Sequence, residues 1–288
     1  MRGLLALLIL VFAPSAGAEG AWQRGDGTAV SRAAVDAALR DADFVLLGET
    51  HDNPYHHAAQ AALLRAMVEA GRRPAVVWEM VRRSRQPALD AWATGPAARD
   101  PDGFASAADW AAEGWPDFAL YRPIVQVAID AGLAMVAGGL DAEPTRAVAG
   151  AGLAALDRDR RTAWGLAEPV SAAAREAHLD SVFDGHCRLV PREHLGRMVD
   201  VQVARDASMA AALVGHAGGA VLIAGRGHAR ADIGVPVFLR RLAPEARIVT
   251  VGLSEGEAAG TFDYLHAFPA PERADPCVAL RERFSGTK

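Results

Sequence analysis

Short apolar runs alternate along this chain with longer stretches in which apolar residues recur every three or four positions. The runs read as buried strands and the periodic stretches as amphipathic helices. Asp43 to Leu47 is the first strand. Pro54 to Gly71 is a helix with Ala61, Leu64, Met67 and Val68 at helical spacing, stopped by Gly71. Pro74 to Met80 is the second strand and Gln86 to Ala93 a short helix. Residues 94–114 are rich in Ala, Gly and Asp, with Trp110 inside and Trp115 just beyond, and read as a lid or insertion. Pro116 to Gly132 is a helix with Leu120, Ile124, Val127 and Ala131 on one stripe and Tyr121 beside it. Leu133 to Ala137 is the third strand. Ala147 to Glu193 is alanine-rich and helical, and Glu193 to Gly215 is one long helix. Ala220 to Ala224 is the fourth clear strand. A short helix over Val237 to Leu242, strands at Arg247 to Val251 and Phe262 to Ala267, and a turn at Asp275-Pro276-Cys277 complete the chain. This alternation predicts an α/β fold, a three-layer α/β/α arrangement around a mostly parallel sheet. Helical insertions are expected at about 84–115 and 145–195.

The start of the chain does not belong to that pattern. Arg2, the apolar Leu4 to Phe12, and Ala16-Gly17-Ala18 form a secretory signal peptide over residues 1–18, too short to remain as a spanning anchor. One α/β domain is expected over 19–288, exported to the periplasm or beyond, with no stable membrane span and no lipid-attachment cysteine at the cut. With 30 basic and 35 acidic residues the net charge is −5, which argues against nucleic acid or an anionic membrane surface as partner. Cys187 and Cys277 are compatible with one disulfide in an oxidising compartment and too few for a thiolate metal site.

The candidate chemistry sits where strands run out. The first strand stops at Gly48 and is followed by Glu49, His51, Asp52, Tyr55, His56 and His57. The second ends at Glu79, and the fourth ends in Gly225-Arg226-Gly227-His228. In a parallel sheet these exits share one edge, where α/β folds place their ligands. Glu49, His51, Glu79 and His228 then meet in one crevice, a mixture suited to Zn, Mn or Fe or to acid–base chemistry. His56 and His57 diverge by about 100° on a helix, so at most one of them faces the crevice. His178 and His186 are expected to face solvent or cap helices. There is no Gly-x-Ser-x-Gly elbow and no phosphate loop, and the dinucleotide-like match over Gly225 to Arg230 is broken by Arg230.

Gly48-Glu49-Thr50-His51 with His56, His57 and Gln60 downstream resembles the opening motif of the ChaN-like haem-binding uptake proteins of the Tiki superfamily. Gln202 to Ala210 resembles that family's late helix. Ile223 to Arg230 with Gly234-Val235-Pro236 resembles its second Gly-x-x-His element, and Phe262-Asp263-Tyr264 with Asp275-Pro276-Cys277 its C-terminal end. The resemblance implies an α/β/α fold, export, haem binding in iron acquisition and a possible homodimer around haem. In that reading Tyr55, His56 or His57 is the axial ligand, His51 and His228 line the pocket, and Arg226 and Arg230 meet the haem carboxylates. Trp110, Trp115 and Tyr121 offer a slot, although core packing explains any one of them. The related Tiki-like proteases and erythromycin-esterase-like hydrolases imply an alternative. There Glu49 or Glu79 is a general base and His51 and His228 hold a divalent metal. The chain departs from the family at Gly138-Gly139-Leu140-Asp141, where an Asn and an Arg are more usual.

Overall fold

The computed structural model describes residues 21–95, 99–216 and 218–285, so the expected signal peptide lies outside the described residues. Eight strands form one sheet: β1 (Trp22–Arg24), β2 (Ala29–Val30), β3 (Phe44–Glu49), β4 (Ala75–Arg82), β5 (Met135–Gly139), β6 (Ala220–Gly225), β7 (Ile248–Glu255) and β8 (Tyr264–Phe268). Their order is β2-β1-β8-β7-β3-β6-β4-β5. From β8 to β5 every neighbouring pair is parallel, and β1 adds an antiparallel edge against β8 and β2.

Among the described residues, twelve α-helices accompany the sheet: α1 (Arg32–Asp41), α2 (Pro54–Glu69), α3 (Gln86–Thr94), α4 (Pro101–Ala108), α5 (Arg122–Asp130), α6 (Ala142–Ala151), α7 (Arg158–Ala163), α8 (Ala172–Gly185), α9 (Gly196–Leu213), α10 (Arg226–Ala229), α11 (Val235–Leu242) and α12 (Pro276–Ser285). Successive strand side chains point to opposite faces, and here each face has its own core. Val45, Leu47, Val76, Trp78, Val221 and Ile223 pack with residues of α1 to α5. Phe44, Leu46, Val77, Leu222 and Ala224 pack with residues of α6, α8, α9 and α11. The result is the three-layer α/β/α arrangement with a mostly parallel sheet.

Several boundaries differ from expectation. β3 continues through Gly48 to Glu49. A Cβ on Gly48 would lie 2.8 Å from both Ala229 Cβ and Arg226 Cα, so glycine there lets α10 press onto the strand. The helix expected from Pro116 begins at Arg122, with a proline in its first turn, after a separate 3-10 turn at Phe118–Leu120. The Ala147 to Glu193 stretch divides into the end of α6, then α7 and α8. Asp275-Pro276-Cys277 is the start of α12, where Asp275 Oδ1 accepts from the Cys277 amide at 2.8 Å. Cys187 and Cys277 form a disulfide that joins the segment after α8 to α12.

Candidate functional site

β6 lies between β3 and β4, and this order assembles the site. Glu49 is in register with Gly225, while Trp78, just before Glu79, is in register with Ile223. Gly225 therefore forms a hollow between two buried carboxylates. Its amide donates to Glu79 Oε2 at 2.7 Å, and an added Cβ would lie 2.9 Å from His51 Nε2 and 3.6 Å from Glu79 Oε2.

On one side of the hollow, His51 Nδ1 donates to Glu49 Oε1 at 2.7 Å. The Tyr121 hydroxyl donates to the same oxygen at 3.0 Å. Burial, then the Glu49 carboxylate, push the Tyr121 pKa far above its usual range, so the hydroxyl stays a neutral donor. Trp115 leans over His51 with ring centroids 5.0 Å apart. With Nδ1 anchored, His51 Nε2 looks across the hollow to Glu79 Oε2 at 3.9 Å.

On the other side, Glu79 Oε1 accepts from Arg205 Nη2 at 2.5 Å and lies 3.2 Å from His228 Nε2. His228 Nδ1 in turn is 2.6 Å from Asp206 Oδ1. The structure thus brings Glu49, His51, Glu79 and His228 together around Glu79, and adds Tyr121, Arg205 and Asp206. Burial alone would strip the charge from His228, but Glu79 and Asp206 on its two sides outweigh that and lift its pKa to about 9. His51 is raised for the same kind of reason: burial opposes its charge, while the bond to Glu49 and the field of Glu79 favour it. Burial also works against the Glu79 carboxylate, yet His228 and Arg205 hold its pKa well below the usual range. Asp206 is the member on which burial wins, and its pKa is raised. Two oxygens in this cluster, Glu49 Oε2 and Asp206 Oδ2, have no hydrogen-bond partner among the described residues. Glu49 Oε2 lies 3.4 Å from His57 Nε2, but that ring nitrogen hydrogen-bonds the His51 carbonyl at 3.0 Å.

The remaining expected site residues are placed as follows. Asn53 caps α2, and Tyr55 stands in its first turn, 49% exposed, its ring parallel to Phe268 at 6.5 Å. His56 is fully buried; its Nδ1 accepts from the Thr50 amide at 2.9 Å and its Nε2 donates to the Ser254 carbonyl at 3.2 Å. His57 is buried too and packs against the Tyr121 ring, on the Glu49 side. Arg226 donates to the Ala259 carbonyl and lies over Phe262, and Arg230 pairs with Asp232 at 2.7 Å. These two guanidiniums are held by their own surroundings rather than offered to the crevice. His178, expected at the surface, is buried, with Nε2 on the Ile233 carbonyl at 2.9 Å. His186 does act at a helix end, capping α8 with Nδ1 on the Val182 carbonyl at 2.7 Å.

The expectation of a divalent-metal centre gains no support. Among the described residues, no three His, Cys, Asp or Glu side chains are arranged to hold a metal ion. The physical reason is that Arg205 and the Gly225 amide already occupy the Glu79 oxygens, and the Arg205 guanidinium would repel a metal cation. What the arrangement does offer is an imidazole with one nitrogen anchored and the other open, able to accept or give a proton. Tyr121, offered by the sequence only as part of a haem slot, is instead a hydrogen-bond donor to Glu49 just before α5, and Arg205 and Asp206 lie on α9, where a polar residue on a helix face is ordinary. The adjacent Arg205 and Asp206 in the late helix were the available signal.

Comparison with known proteins agrees with this architecture. Among solved structures, ChaN of Campylobacter jejuni, described for cofacial haem binding, superposes with a TM-score of 0.72. It is 22% identical, over 87% of this chain and 97% of that one. The type III effector HopBA1 is more distant, with a TM-score of 0.46 and 12% identity over 82% of this chain and 92% of that one. An erythromycin esterase mutant in its open conformation gives 0.43 and 12% over 92% and 87%. No curated protein matches the chain. The family model described as haem-binding uptake, Tiki superfamily, ChaN matches residues 35–239, which is most of the chain. The chain belongs to the ChaN family of haem-binding uptake proteins in the Tiki superfamily.

Proposed function

We propose that this protein binds haem at the rim of the strand exits, with Tyr55 as the iron ligand. One observation carries the choice of residue. Of the three ligand candidates in the first turn of α2, only Tyr55 is open, at 49% exposure, while His56 and His57 are at 0% and 1% with ring nitrogens already bonded. A phenol is a known type of haem-iron ligand, and family membership supplies the ligand class. The Asn53 side chain fixes the turn that carries the phenol, accepting from the Tyr55 amide at 2.9 Å. Phe268 supplies a parallel aromatic neighbour. When bound, haem supplies an iron centre for the phenol oxygen.

Export and a part in iron acquisition belong to the same proposal. The apolar leader pattern of residues 1–18 supports export, and so does the Cys187–Cys277 disulfide, a bond of oxidising compartments. No helix among the described residues is long and apolar enough to cross a membrane. A homodimer formed on haem loading is expected from the exposed Tyr55 face. The test is a haemin titration followed by the Soret band. Wild-type protein is expected to bind stoichiometrically, and Tyr55→Phe to weaken binding at least tenfold and change the ferric spectrum. An unchanged spectrum and affinity in Tyr55→Phe, with loss in His51→Ala, would move the ligand to His51. Molar mass with and without haemin tests the dimer.

A further inference from the structure

A second cavity, of about 610 Å³, opens beside the ends of β4 and β5. Its walls come from three separate elements. Arg82, Arg83 and Ser84 leave β4, Asp141 to Pro144 form the start of α6, and Arg160 and Trp164 belong to α7 and its end. Three guanidinium groups therefore face two carboxylates, and the carboxylates do not neutralise the cations evenly. Arg82 pairs with Glu113 at 2.7 Å and Arg160 reaches Asp157 at 3.6 Å. Arg83 has no carboxylate within ion-pair distance among the described residues. Its one hydrogen bond goes to the Ser208 carbonyl at 3.0 Å. Asp141 Oδ1 is taken by the Ser84 amide at 2.9 Å, and Glu143 stands exposed at the rim.

Arg83 and Arg160 both lie over the Trp164 ring, at 5.9 and 5.7 Å from its centroid. The shared ring holds the two cations near one another. Burial makes the Arg83 cation harder to keep, the pull of Asp141 opposes this, and a smaller repulsion from Arg160 adds to it. An arriving anion would relieve that repulsion. The start of α6 carries Asp141 and Glu143, so the attraction for an anion comes from the guanidinium groups and not from this helix end. The volume is that of a small-molecule site.

We propose that this cavity binds a small organic anion through its phosphate or carboxylate group, met by Arg83 and Arg160. The cavity is separate from the Tyr55 rim, so the proposal does not depend on haem binding. Calorimetric titration of the full exported protein at low salt, with inorganic phosphate, pyrophosphate and citrate as probes, tests it. A charge-assisted bond contributes about 1.5–3 kcal/mol, so Arg83→Gln and Arg160→Gln are each expected to weaken binding roughly tenfold or more. Haemin affinity should be unchanged in both. Tighter binding of phosphate and pyrophosphate assigns a phosphate ligand, and tighter citrate binding a carboxylate. Should Arg83→Gln fail to fold, the half-buried Arg160→Gln carries the test alone. A control outside the cavity, Arg192→Gln, whose guanidinium pairs with Glu176 and Asp180 of α8, should bind like wild type. No binding of any probe at millimolar concentration, or equal affinity in Arg160→Gln and wild type, overturns the proposal.

Discussion

His228 is the residue on which the buried charges of the crevice depend. It stands between Glu79 Oε1 at 3.2 Å and Asp206 Oδ1 at 2.6 Å. Deleting it in His228→Ala leaves two carboxylates facing each other through a void, and breaking a buried pair costs about 3–5 kcal/mol. Its pKa is raised from 6.5 to about 9 in the folded protein. A raised imidazole contributes its full stabilisation below the unfolded value and loses it as pH climbs through the folded one. Urea denaturation should therefore show stability falling between about pH 6.5 and 9. In His228→Gln this loss should be smaller, because only the contribution of the raised His51 remains. Parallel pH profiles for the two proteins would refute this account. The cluster was half legible in the sequence. Glu49, His51, Glu79 and His228 stand out as polar groups at the ends of apolar runs. Arg205 and Asp206 do not, and Tyr121 stands out only as an aromatic for a slot, because the long-range packing of α5 and α9 against the strand ends gives all three their roles. His178 misled for the opposite reason: a histidine in an alanine-rich helix looks exposed until Ile233 is placed against it.

Among elements, α2 matters most, since its first turn carries Tyr55, His56 and His57. Asn53 holds that turn twice over. Its oxygen accepts from the Tyr55 and His56 amides, and its amide nitrogen donates to Glu255 Oε1 at 2.8 Å and the Pro269 carbonyl at 3.1 Å. Asn53→Ala is expected to cost about 2–3 kcal/mol, a lost cap plus a lost charge-assisted bond. Asn53→Asp keeps the cap acceptor but sets a carboxylate against Glu255, and should not restore stability. Thermal denaturation of the two variants checks both statements. The apolar runs marked β3, β4 and β6 because strands buried on both faces are continuous in hydrophobicity. The same logic failed for β1 and β2, where strands of three and two residues carry too little pattern to read. It also misplaced the end of β5. Gly138 and Gly139 looked like an exit, yet both lie in the strand. A Cβ on Gly139 would come within 2.4 Å of the Glu79 carbonyl, so the glycines permit close strand contact.

At the scale of the molecule, the Cys187–Cys277 bond closes a loop with a sequence separation of 90. In the loop-entropy account such a closure adds about 4 kcal/mol. Reduction, or Cys277→Ser, is expected to lower the urea midpoint accordingly, and unreduced protein should show no free thiol. Identical midpoints with and without reductant would show that the tether adds nothing. The sequence offered only two cysteines and a permissive compartment; their meeting required α12 to be placed beside the end of α8. The sheet order has a different consequence. Trp22–Arg24 pairs with the nearby β2, but its other partner, Tyr264–Phe268, lies near the far end of the described residues, so that second pairing forms only after β8 has been made. A chain cut short before that partner leaves the outer edge of β7 bare, an open template for proteases and for other unfinished chains. Chains that end before β8 are therefore expected to be cleaved and to aggregate more readily than chains that include it, which limited proteolysis of the two would show.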